Sequence, residues 1–232
     1  MDMRIAGLQK LTLLDFPGKV ACTLFTAGCN FRCPFCQNAS LVLPEHFGQQ
    51  IREEEILSFL KKRQGVLDGV AITGGEPMLH ADLPELLRKI RALGFLVKLD
   101  TNGSFPDRLA AVLEEGLVDY VAMDIKNAPD RYAETVGLTA MDLTAIDRSR
   151  SLLMEGKVDY EFRTTVVKGL HTQESLLDAA RWIEGAKAWY LQQYRSSGEI
   201  LDGFGLDAFD EQEMRAFADA AALYVPTQVR GI

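Results

Sequence analysis

The sequence is short of positive charge and has no long apolar run. It contains 25 lysines and arginines against 33 aspartates and glutamates, so its net charge is −8. A chain with this balance is not expected to bind nucleic acid or a membrane surface in general, because the negative phosphate groups would repel it. Since no apolar stretch is long enough to span a bilayer, we predict no transmembrane helix.

We also expect no secretory leader, because the first residues do not show a charged segment followed by an apolar one and a small-residue cleavage site. We therefore expect a cytoplasmic protein, because thiols stay reduced there and remain available for iron. No repeat, low-complexity tract or linker-like stretch divides the 232 residues. Because β/α barrels often reach this length as one domain, we predict a single domain over 1–232.

Apolar runs alternate with amphipathic helical patterns along the chain. This alternation is typical of βαβ units, which give an α/β fold with a parallel sheet and right-handed crossovers. Six strands are predicted, at 20–26, 69–73, 95–99, 118–125, 160–167 and 188–194. The helices between them are predicted at about 51–63, 83–93, 109–113, 143–154 and 176–183. A strand or hairpin at 1–18 precedes this core, and a capped helix with a terminal edge strand follows it at 207–232.

Three of the 4 cysteines follow the first of these strands. Cys29, Cys33 and Cys36 stand at C-x3-C-x2-C spacing. Soft thiolates at this density select zinc, copper(I) or an iron–sulfur cluster. A closed structural zinc site needs four ligands. Three thiolates, by contrast, can hold three corners of a cubane cluster and leave its fourth iron open to a substrate.

Other interpretations of these cysteines stay open from the residues alone. A zinc site could recruit His46 or His80 as its fourth ligand. A disulfide is disfavoured, because nothing marks the chain as secreted. Cys22 could complete an electron-transfer cluster, but it lies in an apolar run and is better interpreted as a small buried hydrophobic residue.

Two polar motifs follow the next two strands. In Gly74-Gly75-Glu76-Pro77 the glycines would let the backbone approach a ligand closely. Exposed carbonyls there, with the carboxylate of Glu76, could accept hydrogen bonds from an ammonium group, although a simple turn is the alternative. Asp100-Thr101-Asn102-Gly103 has an Asx turn as its alternative interpretation.

Charged residues interrupt the later strands. Asp124 and Lys126 are two apart and therefore point the same way, and a salt bridge at the rim is the alternative to a binding role. Arg163 interrupts an apolar strand. A buried charge needs a partner, so a carboxylate is expected beside it, either from Asp124 or from a ligand.

The cysteine spacing and the Gly-Gly-Glu-Pro motif resemble those of the radical S-adenosylmethionine (SAM) superfamily. Four longer stretches are similar to activating enzymes of glycyl-radical enzymes: 7–18 (GLQKLTLLDFPG), 98–103 (KLDTNG), 119–126 (DYVAMDIK) and 160–167 (YEFRTTVV). Together these stretches are spread from residue 7 to residue 167. The nearest group is that of the anaerobic ribonucleoside-triphosphate reductase activating proteins, and the pyruvate formate-lyase activating enzymes are similar.

The resemblance implies a partial, TIM-like (β/α)6 barrel with parallel strands. It also implies a 4Fe–4S cluster that passes one electron to the sulfonium of SAM. The resulting 5′-deoxyadenosyl radical would remove a hydrogen atom from a glycine of a partner protein. The expected partners are a glycyl-radical enzyme, in particular anaerobic ribonucleotide reductase, and flavodoxin or ferredoxin as electron donor.

The resemblance further implies a role for each matching residue. Cys29, Cys33 and Cys36 would ligate the cluster. The residues implied to contact SAM are Phe35, Gln37, Gly74, Gly75, Glu76, Asp124, Lys126 and Arg163. Asp100, Thr101 and the Met123 carbonyl would hold a monovalent cation beside the SAM carboxylate.

Two positions depart from the relatives. Gln37 stands where many of them have histidine after the third cysteine. Arg195 stands near the place where the pyruvate formate-lyase activators have a histidine that contacts SAM. The detailed contacts with SAM at Gln37 and Arg195 are therefore left open.

Two alternative functions are retained. One is a radical SAM enzyme that acts on a small molecule or a peptide, such as a 7-deazaguanine synthase. Many peptide modifiers carry extra cluster-binding cysteines, and only Cys22 is left over here. The other is a non-catalytic zinc or iron–sulfur module, which predicts no turnover of SAM and no need for Glu76 or Lys126.

Overall fold

The described part of the chain forms one eight-stranded sheet in the computed structural model, which describes residues 3–196 and 200–232. The strands are β1 (Ile5–Thr12), β2 (Ala21–Thr26), β3 (Gly69–Gly74), β4 (Leu96–Thr101), β5 (Tyr120–Asp124), β6 (Asp159–Val166), β7 (Trp189–Gln193) and β8 (Thr227–Arg230). Their order in the sheet is their order in the chain. β1 runs antiparallel to β2, and all the other neighbouring pairs are parallel.

This topology confirms the prediction of a partial barrel with parallel strands. Each crossover moves the chain to the adjacent strand in the same direction, as it does in a β/α barrel. The six predicted strands correspond to β2–β7, and the predicted terminal edge strand is β8. Within the residues described, the sheet ends at β1 and β8 without joining them, so the barrel is open along one side.

Eight helices connect or flank these strands in the same ranges. They are α1 (Ala39–Val42), α2 (Glu53–Lys61), α3 (Leu83–Ala92), α4 (Pro106–Glu114), α5 (Tyr132–Thr135), α6 (Thr144–Met154), α7 (Gln173–Trp182) and α8 (Glu211–Ala221). α1 and α5 were not predicted, because a single turn is too short to show a helical period. The predicted capping box is confirmed at the start of α8, where Asp210 and Glu213 exchange hydrogen bonds. None of the helices seen in the described ranges is both long and apolar enough to cross a bilayer.

The two faces of the middle strands differ in chemistry. Val97 and Leu99 of β4 are fully buried on the helical side of the sheet. Lys98 and Asp100 alternate with them and therefore point to the opposite face, into the barrel. Polar side chains fill the barrel interior in this way, and this interior is where the candidate site lies.

Candidate active site

One cavity of about 230 Å³ opens at the carboxyl ends of the parallel strands. Barrel enzymes of the β/α type place their chemistry at this end. Its lining includes every predicted site residue except Arg195 and Met123: Cys29, Cys33, Phe35, Cys36, Gln37, Gly74, Gly75, Glu76, Asp100, Thr101, Asp124, Lys126 and Arg163. Residues from six successive strands and their loops thus meet around one space, as expected from the positions of the motifs.

The loop after β2 brings three free thiols to this cavity. Burial raises the pKa of Cys33 to about 12, although the charge of Lys126 acts in the opposite direction. Burial likewise raises the pKa of Cys29 to about 11, while a hydrogen bond from the Phe31 backbone lowers it. Both groups are therefore protonated at neutral pH, and a metal must displace their protons in order to bind.

No three His, Cys, Asp or Glu side chains converge on a point that could hold a single metal ion, within the residues that the structure describes. The sulfurs of a cubane cluster bind three different irons, so such convergence is not needed for a cluster. The Nε2 of His80 donates to the Ala27 carbonyl at 2.9 Å, and His46 is exposed in a short 3-10 turn. Cys22 is fully buried in β2, as predicted for a hydrophobic residue, and it does not line the cavity.

Neighbouring loops fix the backbone of the cysteine loop. The Arg32 amide donates to the Val136 carbonyl at 2.9 Å. On the other side, the amides of Leu201 and Asp202 donate to the carbonyls of Cys36 and Pro34 at 3.1 and 2.9 Å. The segment that follows β7 therefore lies against the cysteines and joins them to the far side of the barrel.

The two positions that depart from the relatives contact each other. The side-chain amide of Gln37 donates to the backbone carbonyl of Arg195 at 2.6 Å. The Arg195 guanidinium donates in turn to the Gly231 carbonyl at 2.7 Å and does not line the cavity. In this arrangement both side chains connect the cysteine loop with the end of the chain.

The glycines of the second motif are required by the protein's own backbone. A Cβ added to Gly74 would overlap the Thr26 carbonyl, and one added to Gly75 would overlap the Gly28 carbonyl. Gly74 also has a φ of +124°, which side chains disfavour. The loop after β3 thereby lies directly against the cysteine loop. The glycines thus let the backbone of this loop approach the neighbouring residues Thr26 and Gly28, and the same two glycines also line the cavity.

Glu76 connects this loop to the next one. It is 1% exposed, and its Oε1 accepts from the Met78 amide at 2.9 Å and the Thr101 hydroxyl at 2.8 Å. Its Oε2 accepts from the Asn102 amide at 2.6 Å. Burial raises the pKa of Glu76 to about 7, while these three hydrogen bonds act in the opposite direction. A carboxylate offers about four acceptor sites, so one on Oε2 is left for a ligand.

Alternating charges form an ionic chain across β4, β5 and β6. Arg163 donates to Asp100 at 3.0 Å and to Asp124 at 3.2 Å, which confirms the predicted carboxylate partner. Asp124 also accepts from Lys126 at 2.8 Å, and Asp100 also accepts from Lys98. Three cations and two anions give this ionic chain a net charge of +1.

The charges in the ionic chain stabilise one another. Burial alone would raise the pKa of Asp100, but the nearby Arg163 and Lys98 hold it below its usual range. The pKa of Asp124 is lowered for the same reason, since Lys126 and Arg163 outweigh its burial. Both carboxylates therefore stay ionised. Because both Asp100 oxygens already accept from cationic side chains, the monovalent cation implied by the resemblance would have to share this carboxylate with Lys98 and Arg163.

Two residues beside these groups, Lys98 and Asn102, are absent from the predicted site. Lys98 is 2% exposed, and no sequence signal separates it from other strand lysines. Asn102 forms the Asx turn proposed for its motif, since its side-chain oxygen accepts from the Ser104 amide at 3.0 Å. Its side-chain nitrogen also lies 3.0 Å from Asn30 and 4.0 Å from the sulfur of Cys29. A turn motif gives no sign of such a contact.

A parallel β/α barrel with three thiols, a glycine loop and a buried ionic chain at its strand ends defines an iron–sulfur enzyme of the barrel class. The family model of the Radical SAM superfamily matches residues 23–183, and the chain belongs to this superfamily.

Two proteins of similar sequence and one solved structure are compared with this chain. A candidate glycyl-radical enzyme activating enzyme of Methanocaldococcus jannaschii is 31% identical over 99% of this chain and 96% of its own length. The 7-carboxy-7-deazaguanine synthase of Methanopyrus kandleri is 28% identical over 67% of this chain and 70% of its own. A domain of the pyruvate-formate lyase-activating enzyme of Bacteroides vulgatus has the same fold, with a TM-score of 0.58 at 16% identity over 70% of this chain and 99% of that domain.

The cofactors of the superfamily are a 4Fe–4S cluster and SAM, and the site fits both. Cys29, Cys33 and Cys36 line one cavity as free thiols, which is the donor set for three corners of a cubane. The same cavity presents the positive ionic chain, which suits a carboxylate, and the Gly74-Gly75 backbone with Glu76, which suits an ammonium group. The methionine part of SAM carries both of these groups.

Proposed function

We propose that this protein is an activating enzyme that generates a glycyl radical on a partner enzyme. The observation that carries the proposal is the similarity over 99% of the chain to a candidate activating enzyme of this kind, together with the cavity that gathers the predicted residues. In this function the hydrogen donor is a glycine α-carbon of the partner. We name anaerobic ribonucleotide reductase as the partner, on the resemblance of the four long stretches.

In this proposal Cys29, Cys33 and Cys36 ligate the cluster and leave one iron for SAM. When bound, the cluster and SAM supply a carbon-centred radical that removes a hydrogen atom from the target. The positive charge of Lys126 acts to lower the pKa of Cys33 against the effect of burial, and so assists deprotonation of this thiol before ligation. The charge of the thiolates is then balanced by a residue that the fold already holds in place.

In this proposal the ionic chain and the glycine loop each bind one charged group of SAM. Arg163 and Lys126 face the cavity with positive charge, and an incoming carboxylate complements the surplus of +1 in this chain. The unused acceptor site of Glu76 and the carbonyls of Gly74 and Gly75 accept from the amino group. Phe35 is 5% exposed beside two of the cysteines and supplies an apolar face for adenine.

The open side of the barrel suits a macromolecular substrate. Hydrogen abstraction requires the reacting atoms to be held close together and aligned, so a glycine loop of the partner must reach the cavity. The gap between β1 and β8 provides a route for such a loop. A flavodoxin or ferredoxin would deliver the electron, and we assign the activity to the cytoplasm, where thiols stay reduced.

The test is to incubate the anaerobically reconstituted protein with SAM, a reductant and a candidate anaerobic ribonucleotide reductase. We expect the doublet of a glycyl radical in the electron paramagnetic resonance (EPR) spectrum of the partner. With α-deuterated glycine in the partner, we expect deuterium in the 5′-deoxyadenosine product. A partner whose target glycine is changed to alanine is the control. If SAM is cleaved at the same rate with and without every glycyl-radical enzyme tested, and no protein radical forms, the proposal is wrong.

A second candidate function is supported by the likeness to the 7-carboxy-7-deazaguanine synthase of Methanopyrus kandleri. In that function a small molecule rather than a protein gives up the hydrogen atom. The same reconstituted protein distinguishes the two, because a small molecule related to deazaguanine would then stimulate formation of 5′-deoxyadenosine and a partner enzyme would not. A non-catalytic module would form no 5′-deoxyadenosine with either.

A further inference from the structure

Asn102 lies between the ionic half of the site and the cysteine loop. It is 5% exposed and follows the last residue of β4. Its backbone amide donates to Glu76 at 2.6 Å, which fixes its position relative to the glycine loop. Its side chain projects toward Cys29 and Asn30. No part of the proposed binding of SAM uses this side chain.

Hydrogen bonding settles the orientation of the Asn102 amide group. A backbone N–H can only donate, and the Ser104 amide donates to the Asn102 side chain at 3.0 Å, so the atom that accepts must be the oxygen. The Ser104 hydroxyl donates to the same oxygen at 2.6 Å. The nitrogen of the amide therefore faces the cysteine loop.

The two hydrogens of this nitrogen have two partners within reach. One is the side-chain oxygen of Asn30, at 3.0 Å from the nitrogen. The other is the sulfur of Cys29, at 4.0 Å, which is a long contact of the kind that large sulfur atoms make. The Phe31 backbone amide donates to the same sulfur at 3.4 Å. Cys29 thus has one side-chain donor and one backbone donor aimed at its sulfur.

We propose that Asn102 is a positioning residue that raises the reduction potential of the cluster through an N–H···S hydrogen bond to Cys29. The inference rests on the proposed ligation of the cluster by Cys29. Hydrogen bonds to cluster sulfurs are one of the factors that set the reduction potential. The reduced cluster carries one more negative charge than the oxidised one, so a donor stabilises the reduced form more strongly.

The residue type at this position follows from the two demands on its side chain. An aspartate would present an oxygen with negative charge to the sulfur and would favour the oxidised cluster. A serine or alanine would not reach across to the cysteine loop. Asparagine combines an acceptor for the Ser104 amide with a donor for the Cys29 sulfur in one planar group on a short side chain.

The test compares Asn102→Leu with Ser104→Ala in the reconstituted protein. Asn102→Leu keeps the backbone bond to Glu76 and removes the whole side-chain amide, which includes the donor to Cys29 and the oxygen that accepts from Ser104. Ser104→Ala alters the same hydrogen-bond network but keeps the backbone amide that orients Asn102. EPR-monitored redox titration gives the midpoint potential of each cluster, with iron content measured alongside. At a fixed applied potential we expect Asn102→Leu to lower the ratio of reduced to oxidised cluster about tenfold, or about 59 mV for one electron. We expect Ser104→Ala to change the ratio less than about twofold.

Equal midpoint potentials in the wild type and Asn102→Leu, with full clusters in both, would overturn the inference. So would an equal decrease in both variants, since that would reflect a general change in the loop. If the wild type binds no cluster at all, the proposed function fails instead, and the two failures are thereby distinguished.

A second measurement does not depend on the folding of a variant. The wild type is prepared with asparagine that carries ¹⁵N in its side-chain amide, and the reduced cluster is studied by pulsed EPR. We expect a weak coupling between the cluster and the ¹⁵N nucleus. We also expect a proton coupling that is lost when the amide protons are exchanged for deuterium. The absence of any ¹⁵N coupling would contradict the hydrogen bond.

Discussion

The cysteine half and the ionic half of the candidate site differ in whether the protein's own side chains satisfy each other without a cofactor. On one side, Cys33 is buried and Cys29 is partly buried, and desolvation raises their pKa values to about 12 and about 11, so they hold protons until a metal replaces them. On the other side, Asp100, Arg163 and Asp124 are charged and already paired with one another. The cysteine half therefore depends on its cofactor, whereas the ionic half is assembled by the fold.

This difference explains where each half is anchored. The ionic chain stands on β4, β5 and β6, where the strand register places Asp124 opposite Arg163. The cysteines stand on a loop, which is held by hydrogen bonds from Arg32, Leu201 and Asp202. Changes in the loop should act on the cofactor and leave the fold intact, and changes in the ionic chain should act on the fold itself.

The largest effect is expected for Cys33→Ala. A cubane that loses one of three protein ligands has no replacement nearby, so we expect the iron and sulfide content of the reconstituted protein to fall to background. The fold should persist, because the ionic half does not need the cluster. Cys22→Ala is the matched control, since Cys22 is buried in β2 away from the cavity and should leave the cluster in place. A full cluster in Cys33→Ala would contradict the assignment of the ligands.

Asp124→Asn should act on stability rather than on iron. It leaves Arg163 and Lys126 with one fewer carboxylate. Because the side chain of Asp124 is 25% exposed, we expect a cost of about 2–3 kcal/mol, below the value of about 3–5 kcal/mol for breaking a fully buried ion pair. We expect the metal-free protein to lose this amount of unfolding free energy in a urea titration. Asp107→Asn removes an exposed pair with Arg148 and should change little. Equal effects of the two substitutions would remove the distinction between the buried ionic chain and the surface.

Lys98→Met tests whether the protein supplies its own cation to Asp100. The buried carboxylate loses one of two charged partners, and we expect a loss of about 2 kcal/mol in unfolding free energy. Potassium should restore part of this loss in the variant, relative to tetramethylammonium at equal ionic strength, because only the smaller ion can reach the carboxylate. The wild type should show no such preference. A potassium requirement in the wild type would instead support a separate cation site beside Lys98.

The last prediction concerns pH. Burial raises the pKa of Glu76 to about 7, above the value of about 4.3 in an unfolded chain. The folded state then binds the proton more tightly, so this group contributes most to stability below pH 4 and its contribution is lost as the pH rises toward 7. We expect the wild type to lose stability relative to Glu76→Gln between pH 5 and 7, by at most about 1.4 kcal/mol per pH unit. A flat or opposite difference would show that the hydrogen bonds to Glu76 outweigh its burial.

The sequence was sufficient for the architecture and for most of the site. Apolar runs of strand length gave the order of β2–β7, and the motifs at their ends gave the residues that line the cavity. This succeeded because parallel strands bring their carboxyl ends together, so motifs that are far apart in the chain must meet.

The contacts between loops could not be predicted in the same way. Gly74 and Gly75 were interpreted as an approach to a ligand, but their first neighbours are the Thr26 and Gly28 carbonyls. Lys98 and Asn102 were missed, because their roles depend on side chains from other strands and loops. Local patterns carry no information about such partners until the register of the sheet is known.

The most direct test of the central claim is the formation of 5′-deoxyadenosine by the anaerobically reconstituted protein with SAM and dithionite. The account predicts that the wild type and Cys22→Ala form this product and that Cys33→Ala does not. Formation of the product independently of Cys33, or a wild-type protein that retains zinc in place of iron and leaves SAM intact, would contradict it.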